Sequence, residues 1–164
     1  MLFRSTPPVR EDQLPGLRQL AANQDGSYLA RYARAVTASD AYLQTVETRR
    51  RAARGVWQAY FRTHDAFLMP TALVPAFPHD HSGNQFTRVL TTPAGPRPYG
   101  DLCFWIAFAT LAGLPATTAP VGLTAGGLPV GLQIVGPYLE DATPIAVAGH
   151  LADVIGGFKA PPGF

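Results

Sequence analysis

The stretch Leu123–Pro137 reads LTAGGLPVGLQIVGP and holds no charged side chain. A second Gly-Leu-Pro stands just upstream, at Gly113-Leu114-Pro115, inside AGLPATTAPVG. Each unit precedes an apolar run rich in β-branched residues, ATTAPVGL and PVGLQIVGP, and each run reads as a strand. Glycine permits a turn or a close backbone approach, and proline fixes φ where a strand begins without donating to the ladder. Only two such units exist and their contexts differ, so they are strand openers rather than solenoid repeats.

The charge-free region is wider than these two strands and runs from Leu102 to Leu139. A membrane-spanning helix needs about 20 consecutive apolar residues. Here Pro115 interrupts the run, followed by Pro120 and Pro129. A buried helix followed by buried strands fits better, because strands covered on both faces read as continuous apolar runs.

The segments around this centre read as follows. Residues 1–24 form an N-terminal connection, with Pro7, Pro8, Pro15 and Gly16 and no strong period. SYLARYARAV reads as a helix with Ser27 as N-cap. A longer helix runs from about Ser39 to His64, with Tyr42, Leu43, Val46, Ala53, Val56, Trp57, Tyr60 and Phe61 on one apolar face. Arg49-Arg50-Arg51 falls on its polar side and reads as a solvated face. Phe67-Leu68-Met69 reads as a short buried strand ended by Pro70. Residues 75–98, with five Pro and two Gly, read as a long loop that is either functional or packed on other elements. YGDLCFWIAFATLAG reads as a helix closed near Gly113. EDATPIAVAGHLADVIGG reads as the last helix, with Asp141 as N-cap and Gly156 as its stop, and the tail FKAPPGF as extended. The order of elements is that of an α/β protein with a partly mixed sheet.

The totals bound what such a fold can do. A chain of 164 residues fits one domain and buries roughly 70% of the surface its unfolded form exposes. Charged residues are 15% of the chain against about 25% on average, which suggests unusual burial, partly against something else. The net charge of +2 is too small to argue for nucleic acid or an anionic membrane. One cysteine, Cys103, excludes an internal disulfide and fits a reducing, cytoplasmic compartment. The start MLFRSTPPVRED lacks the long apolar run of a secretory signal.

No catalytic constellation emerges from the residues. Ser5, Ser27, Ser39 and Ser82 all lie outside any Gly-x-Ser-x-Gly context. The apolar neighbours of Cys103 would raise its pKa and leave it inert, so it reads as structural or pocket-lining. His79-Asp80-His81 could offer two imidazoles to a metal, but nothing in the spacing supplies a third ligand, and a polar loop is preferred. His150 reads as a surface residue. The acids Glu140 and Asp141 suit a helix start. No phosphate loop, metal site or cofactor site is read.

Four segments together resemble the C-terminal part of the amidase signature family: HDAFLMPTALVPAFPHD (64–80), RPYGDLCFWIAFATLAGLPATTAPVGL (97–123), GGLPVGLQIVGPYLED (126–141) and IGGFKAPPGF (155–164). The resemblance covers about residues 27–164 and assigns 25–164 to the C-terminal portion of an amidase-signature domain. It implies an α/β/α sandwich around a mixed central sheet, and hydrolysis of amide C–N bonds by a Ser-cisSer-Lys triad. That triad needs a lysine to relay the serine proton and backbone donors for the oxyanion. These 164 residues hold no Ser-Ser pair, and their one lysine is Lys159 in the tail. No catalytic residue is therefore assigned. By the same resemblance Asp101, Cys103, Phe104 and Ala107 are expected to wall the acyl pocket, while Thr110 stands where many members have Asn.

The function expected is thus that of a piece of an amide hydrolase, inactive alone, supplying scaffold and part of the acyl pocket for a small-molecule amide. Its partners would be a second copy of itself or the missing N-terminal portion, with no nucleic acid and no membrane. The alternative is a non-catalytic binding or assembly module on a truncated amidase scaffold.

Overall fold

The computed structural model describes residues 9–160 and 163. The chain begins there with a short 3-10 turn, Glu11–Gln13, and five helices and five strands follow among the described residues. Helix α1 spans Leu14–Ala22, with Pro15 in its first turn where a missing N–H costs nothing. Residues 1–24 were expected to be a connection, and this helix corrects that reading for residues 14–22. Its leucines at 14, 17 and 20 are half-buried at helical spacing, and α1 packs on α2, Tyr28–Val36. Ser27 caps α2 by accepting the Ala30 N–H at 3.1 Å. Ser39 does the same for Tyr42 at 3.2 Å and opens α3, Asp40–Tyr60.

The sheet is built around one central strand. Strand β1 (Phe67–Pro70) and strand β4 (Ala116–Leu123) lie on either side of β5 (Pro129–Val135), both antiparallel to it. Every strand pair among the described residues is antiparallel, so no parallel pairing of a mixed sheet is found within them. The long loop expected over 75–98 contains a second, two-stranded unit: β2 (Val89–Thr92) pairs with β3 (Gly95–Pro98). Its prolines hid it, since Pro96 and Pro98 donate nothing to a ladder, and a two-stranded ribbon is the setting that accepts them.

The two Gly-Leu-Pro units differ in what their glycine does. Gly113 ends α4 (Ile106–Ala112) in the left-handed region, φ +68°, and its N–H returns to the Thr110 carbonyl. Gly127, φ +78°, closes the β4–β5 hairpin, where Thr124 N–H bonds Leu128 O at 2.8 Å and Gly127 N–H bonds Thr124 O at 2.9 Å. Leu114 is buried beneath the first turn, whereas Leu128 is exposed on the second. The Gly136 N–H then bonds Pro115 O at 3.0 Å, tying the start of β4 to the end of β5.

Side chains alternate across β5, and both faces are covered. Val135 joins Met69, Ala109, Ala112 and Leu114 in one core, against which Trp57, Phe61, Phe67, Trp105 and Tyr138 pack from α3, α4 and their flanks. Ile134 points the other way and is 0% exposed. The remaining helix, α5 (Ala142–Ile155), packs on β4 and β5 and covers that side. Helix, sheet and helix therefore form three layers, the α/β sandwich that the sequence leads one to expect. Asp141 precedes α5 without a side-chain capping bond, and Gly156 stops the helix at φ +91°.

The helix read as YGDLCFWIAFATLAG is shorter than expected. Residues Tyr99–Cys103 form a 3-10 turn, and α4 proper starts only at Ile106. The apolar face of α3 is also only partly used. Trp57 and Tyr60 pack against Phe67 and Phe61 packs against both of them, while Tyr42, Leu43 and Val56 stay exposed. No helix among the described residues is long and apolar enough to cross a membrane.

Candidate substrate-pocket wall

Arg50 corrects the reading of Arg49-Arg50-Arg51 as a solvated face, and Arg54, on which the sequence reading is silent, acts beside it. They lie one turn apart, so both face the end of α4. Arg50 Nε donates to Leu111 O and Arg54 Nε to Ala112 O, each at 2.8 Å. These carbonyls belong to the last turn of α4 and have no partner further along the helix. The guanidiniums also sit at the negative end of the helix dipole. Arg54 lies 4.0 Å over the Tyr138 ring, and Glu47 holds Arg50 at 3.3 Å. Arg51 reaches only Glu47, at 3.4 Å, and remains solvated.

A cavity of about 360 Å³ opens at the β1 and β5 ends of the sheet. It is lined by residues 70–77, by Leu102 and by Pro129, Val130 and Gly131. Thr71 Oγ1 donates to Gly131 O at 3.1 Å and pins the loop after β1 onto β5. A side chain on Gly131 would come 3.0 Å from the Thr118 methyl, so the glycine lets β4 and β5 pack here without displacing that side chain. A smaller cavity of about 210 Å³ adjoins it and shares Val74 and Phe77. Leu90, Asp80 and Tyr99 help wall the second cavity.

The four residues expected in the pocket wall do not converge. Asp101 is turned into an ion pair, receiving Arg97 Nε at 2.9 Å and Nη2 at 2.8 Å. Cys103 is half-buried at the end of the 3-10 turn. Phe104 is half exposed and meets Trp105 and Phe108 edge-on, at 5.1 and 5.7 Å between centroids. Ala107 is exposed on α4. Of this segment it is Leu102, between Asp101 and Cys103, that reaches the larger cavity.

The other polar residues singled out in the sequence stand apart. His79 and His81 meet edge-on at 5.8 Å on an exposed loop. Between them, the Ser82 hydroxyl (2.6 Å) and backbone N–H (2.8 Å) bond Asp80 and hold its carboxyl below the usual range. Among the described residues no three His, Cys, Asp or Glu side chains gather as a metal would require. His150 is exposed on α5, and His64 stacks on Tyr60 at 4.2 Å.

A family described as Amidase matches residues 25–144. The chain belongs to the amidase family. Within it, the A subunit of glutamyl-tRNA(Gln) amidotransferase from Exiguobacterium is 34% identical over 122 residues, which are 74% of this chain and 23% of that protein. The corresponding Synechococcus subunit is 33% identical over 131 residues, 75% of this chain and 24% of its own length. The chain thus spans about a quarter of the length of these relatives. Among solved structures, an amidase crystal structure matches with a TM-score of 0.62 at 22% identity, covering 87% of this chain and 36% of the other. The amidotransferase A subunit of Thermotoga maritima matches with a TM-score of 0.51 at 25% identity, covering 89% and 28%. The amidase fold seen in these neighbours agrees with the layers described above, and amide chemistry is supported at the level of the family.

Proposed function

We propose that these residues are the C-terminal portion, 25–164, of an amide C–N hydrolase, and that they supply scaffold and part of the acyl-pocket wall without a hydrolytic centre of their own. One observation carries this reading. The cavity at the sheet end is walled by Thr71, Leu73, Phe77, Leu102 and residues 129–131 of β5, with no serine, lysine, histidine or cysteine among its lining residues. Such walls bind and orient an apolar acyl group, but they cannot activate a nucleophile. Asp101, Cys103, Phe104 and Ala107 are neighbours of Leu102 in the sequence, and this reading keeps them as candidates for the same wall. The amide would be a small molecule, and the compartment the cytoplasm.

A second feature supports a partner. The chain exposes 11696 Å², against about 7,900 Å² for a compact monomer of this size. Phe104, which follows the 3-10 turn, and Phe108 and Leu111 on α4 are 40–53% exposed. Exposed apolar side chains of this kind are the mark of a covered surface. The matched relatives are subunits, which favours pairing with another polypeptide. The pure chain should leave a simple aryl amide intact. Turnover by the chain alone, abolished by Cys103→Ala, would replace this reading with that of a thiol enzyme.

A further inference from the structure

Another cavity, of about 730 Å³, lies away from the pocket wall, in the elbow between α2 and α3. Arg31, Arg34 and Ala35 of α2 face Tyr42, Leu43 and Val46 of α3 across it. On each helix these positions fall at i, i+3, i+4 spacing, counted on α3 from the Ser39 cap, so each wall is a helical ridge. The floor is apolar and open: Tyr42 is 55% and Leu43 49% exposed. The rim is cationic, and no carboxylate lines it. Among the described residues neither Arg31 nor Arg34 is in an ion pair. Arg34 spends one N–H on Asn23 O at 2.7 Å, and Arg31 lies 6.0 Å over Tyr28. Asp25 stands near Arg34 but takes its hydrogen bonds from Ser27.

From this we infer that the α2–α3 groove is the docking site of an amphipathic α-helix with acidic residues along one flank. Two helical ridges at an angle present the grooves into which the ridges of a third helix pack. Apolar side chains of that helix at i, i+3, i+4 and i+7 would enter between Leu43, Val46 and Ala35. Its flanking carboxylates would meet Arg31 and Arg34, whose forked donors suit them. The inference is independent of the amide reading, because the groove shares no lining residue with the pocket wall.

The test uses the 164-residue chain and a fluorescein-labelled synthetic amphipathic helix of about five turns. The peptide carries leucines on one face and glutamates on one flank; its twin carries lysines in place of the glutamates. Fluorescence anisotropy should show the glutamate peptide binding about tenfold tighter or more, with the gap shrinking as salt is raised toward about 0.5 M. The double variant Arg31→Glu, Arg34→Glu should prefer the lysine peptide, and Leu43→Asp should weaken both. All these positions are exposed, and circular dichroism checks that each variant keeps its helices. Failure of both peptides to bind, equal binding of the two, or an unchanged preference in the double variant would overturn the inference. So would sedimentation showing a second copy of the chain in the groove, with dimerisation lost in Leu43→Asp.

Discussion

Replacing Arg54 with alanine tests whether α3 holds α4 through the carbonyls at its end. The substitution removes the 2.8 Å bond to Ala112 O and the 4.0 Å contact with Tyr138. A hydrogen bond with a charged partner contributes about 1.5–3 kcal/mol. A cation over a partly exposed ring adds about 0.5–1 kcal/mol. Ordering a long side chain costs up to about 2 kcal/mol, and the variant recovers that term. The net loss is about 2 kcal/mol, which lowers Tm by about 4–8 °C in a chain of this size. Urea unfolding followed by circular dichroism should show the midpoint falling by about 1 M, taking a slope of about 2 kcal/mol/M. Arg51→Ala is the control, because Arg51 is solvated and should change stability by no more than about 0.5 kcal/mol. Arg54→Lys keeps the charge but loses the planar fork, so it should fall between the two. If Arg54→Ala matches Arg51→Ala, the carbonyls of α4 are satisfied by water and the clamp has no energetic role.

Three further substitutions and one titration follow from the same geometry. Gly136→Ala would place a methyl 2.5 Å from Pro144 Cδ, so α5 must move off the sheet, and thermal unfolding should show a loss of about 2 kcal/mol or more. Gly55→Ala meets nothing within 4 Å in the middle of α3 and should instead raise stability by about 0.5–1 kcal/mol in the same assay. Ser39→Ala removes the cap on α3 and should cost about 1 kcal/mol, read as lost helical ellipticity on heating. Glu47, Asp25 and Asp80 have lowered pKa values, through Arg50, the Ser27 backbone and the Ser82 hydroxyl respectively. Their folded carboxyls release protons more readily than the unfolded ones, so their stabilisation is complete above the ordinary carboxylate range and is lost as pH falls through it. Unfolding monitored in acid should show that decline, and Glu47→Gln should make it shallower.

The sequence revealed the layers more readily than the pocket, and particular residues show why. Gly113 and Gly127 mark local events, a helix stop and a hairpin turn, that depend on their own φ and on neighbours within a few residues. The strands they precede were equally legible, since Ile134 and Val135 are buried on opposite faces of β5. The β2–β3 ribbon was hidden because its signals, Pro93, Pro96 and Pro98, are those of a loop. The segment 14–22 was hidden for a similar reason, since Pro15 suits a first helical turn as well as a connection. Arg50 and Arg54 meet carbonyls about sixty residues away, and no spacing rule announces a partner at that distance. Leu102, rather than its chemically conspicuous neighbours Asp101 and Cys103, lines the cavity, because Arg97 draws Asp101 into an ion pair.

The unused half of the apolar face on α3 leads to a further point. Periodicity reports which side chains gain by leaving water, and it is silent about what covers them. Trp57, Tyr60 and Phe61 are covered by β1 and by one another, while Leu43 and Tyr42 have the same pattern and remain open. The same contrast runs along α4, where Ala109 and Ala112 enter the core and Phe108 and Leu111, with Phe104 just before the helix, do not. On α4 the covered and open side chains lie on different sides of the helix; on α3 they share one face, covered by β1 toward its C-terminal end and open toward its N-terminal end. These open apolar side chains belong to a chain that is low in charge and exposes about half again the surface of a compact monomer. These are the two surfaces for which contact with another polypeptide is proposed above, one on α4 and one at the α2–α3 elbow.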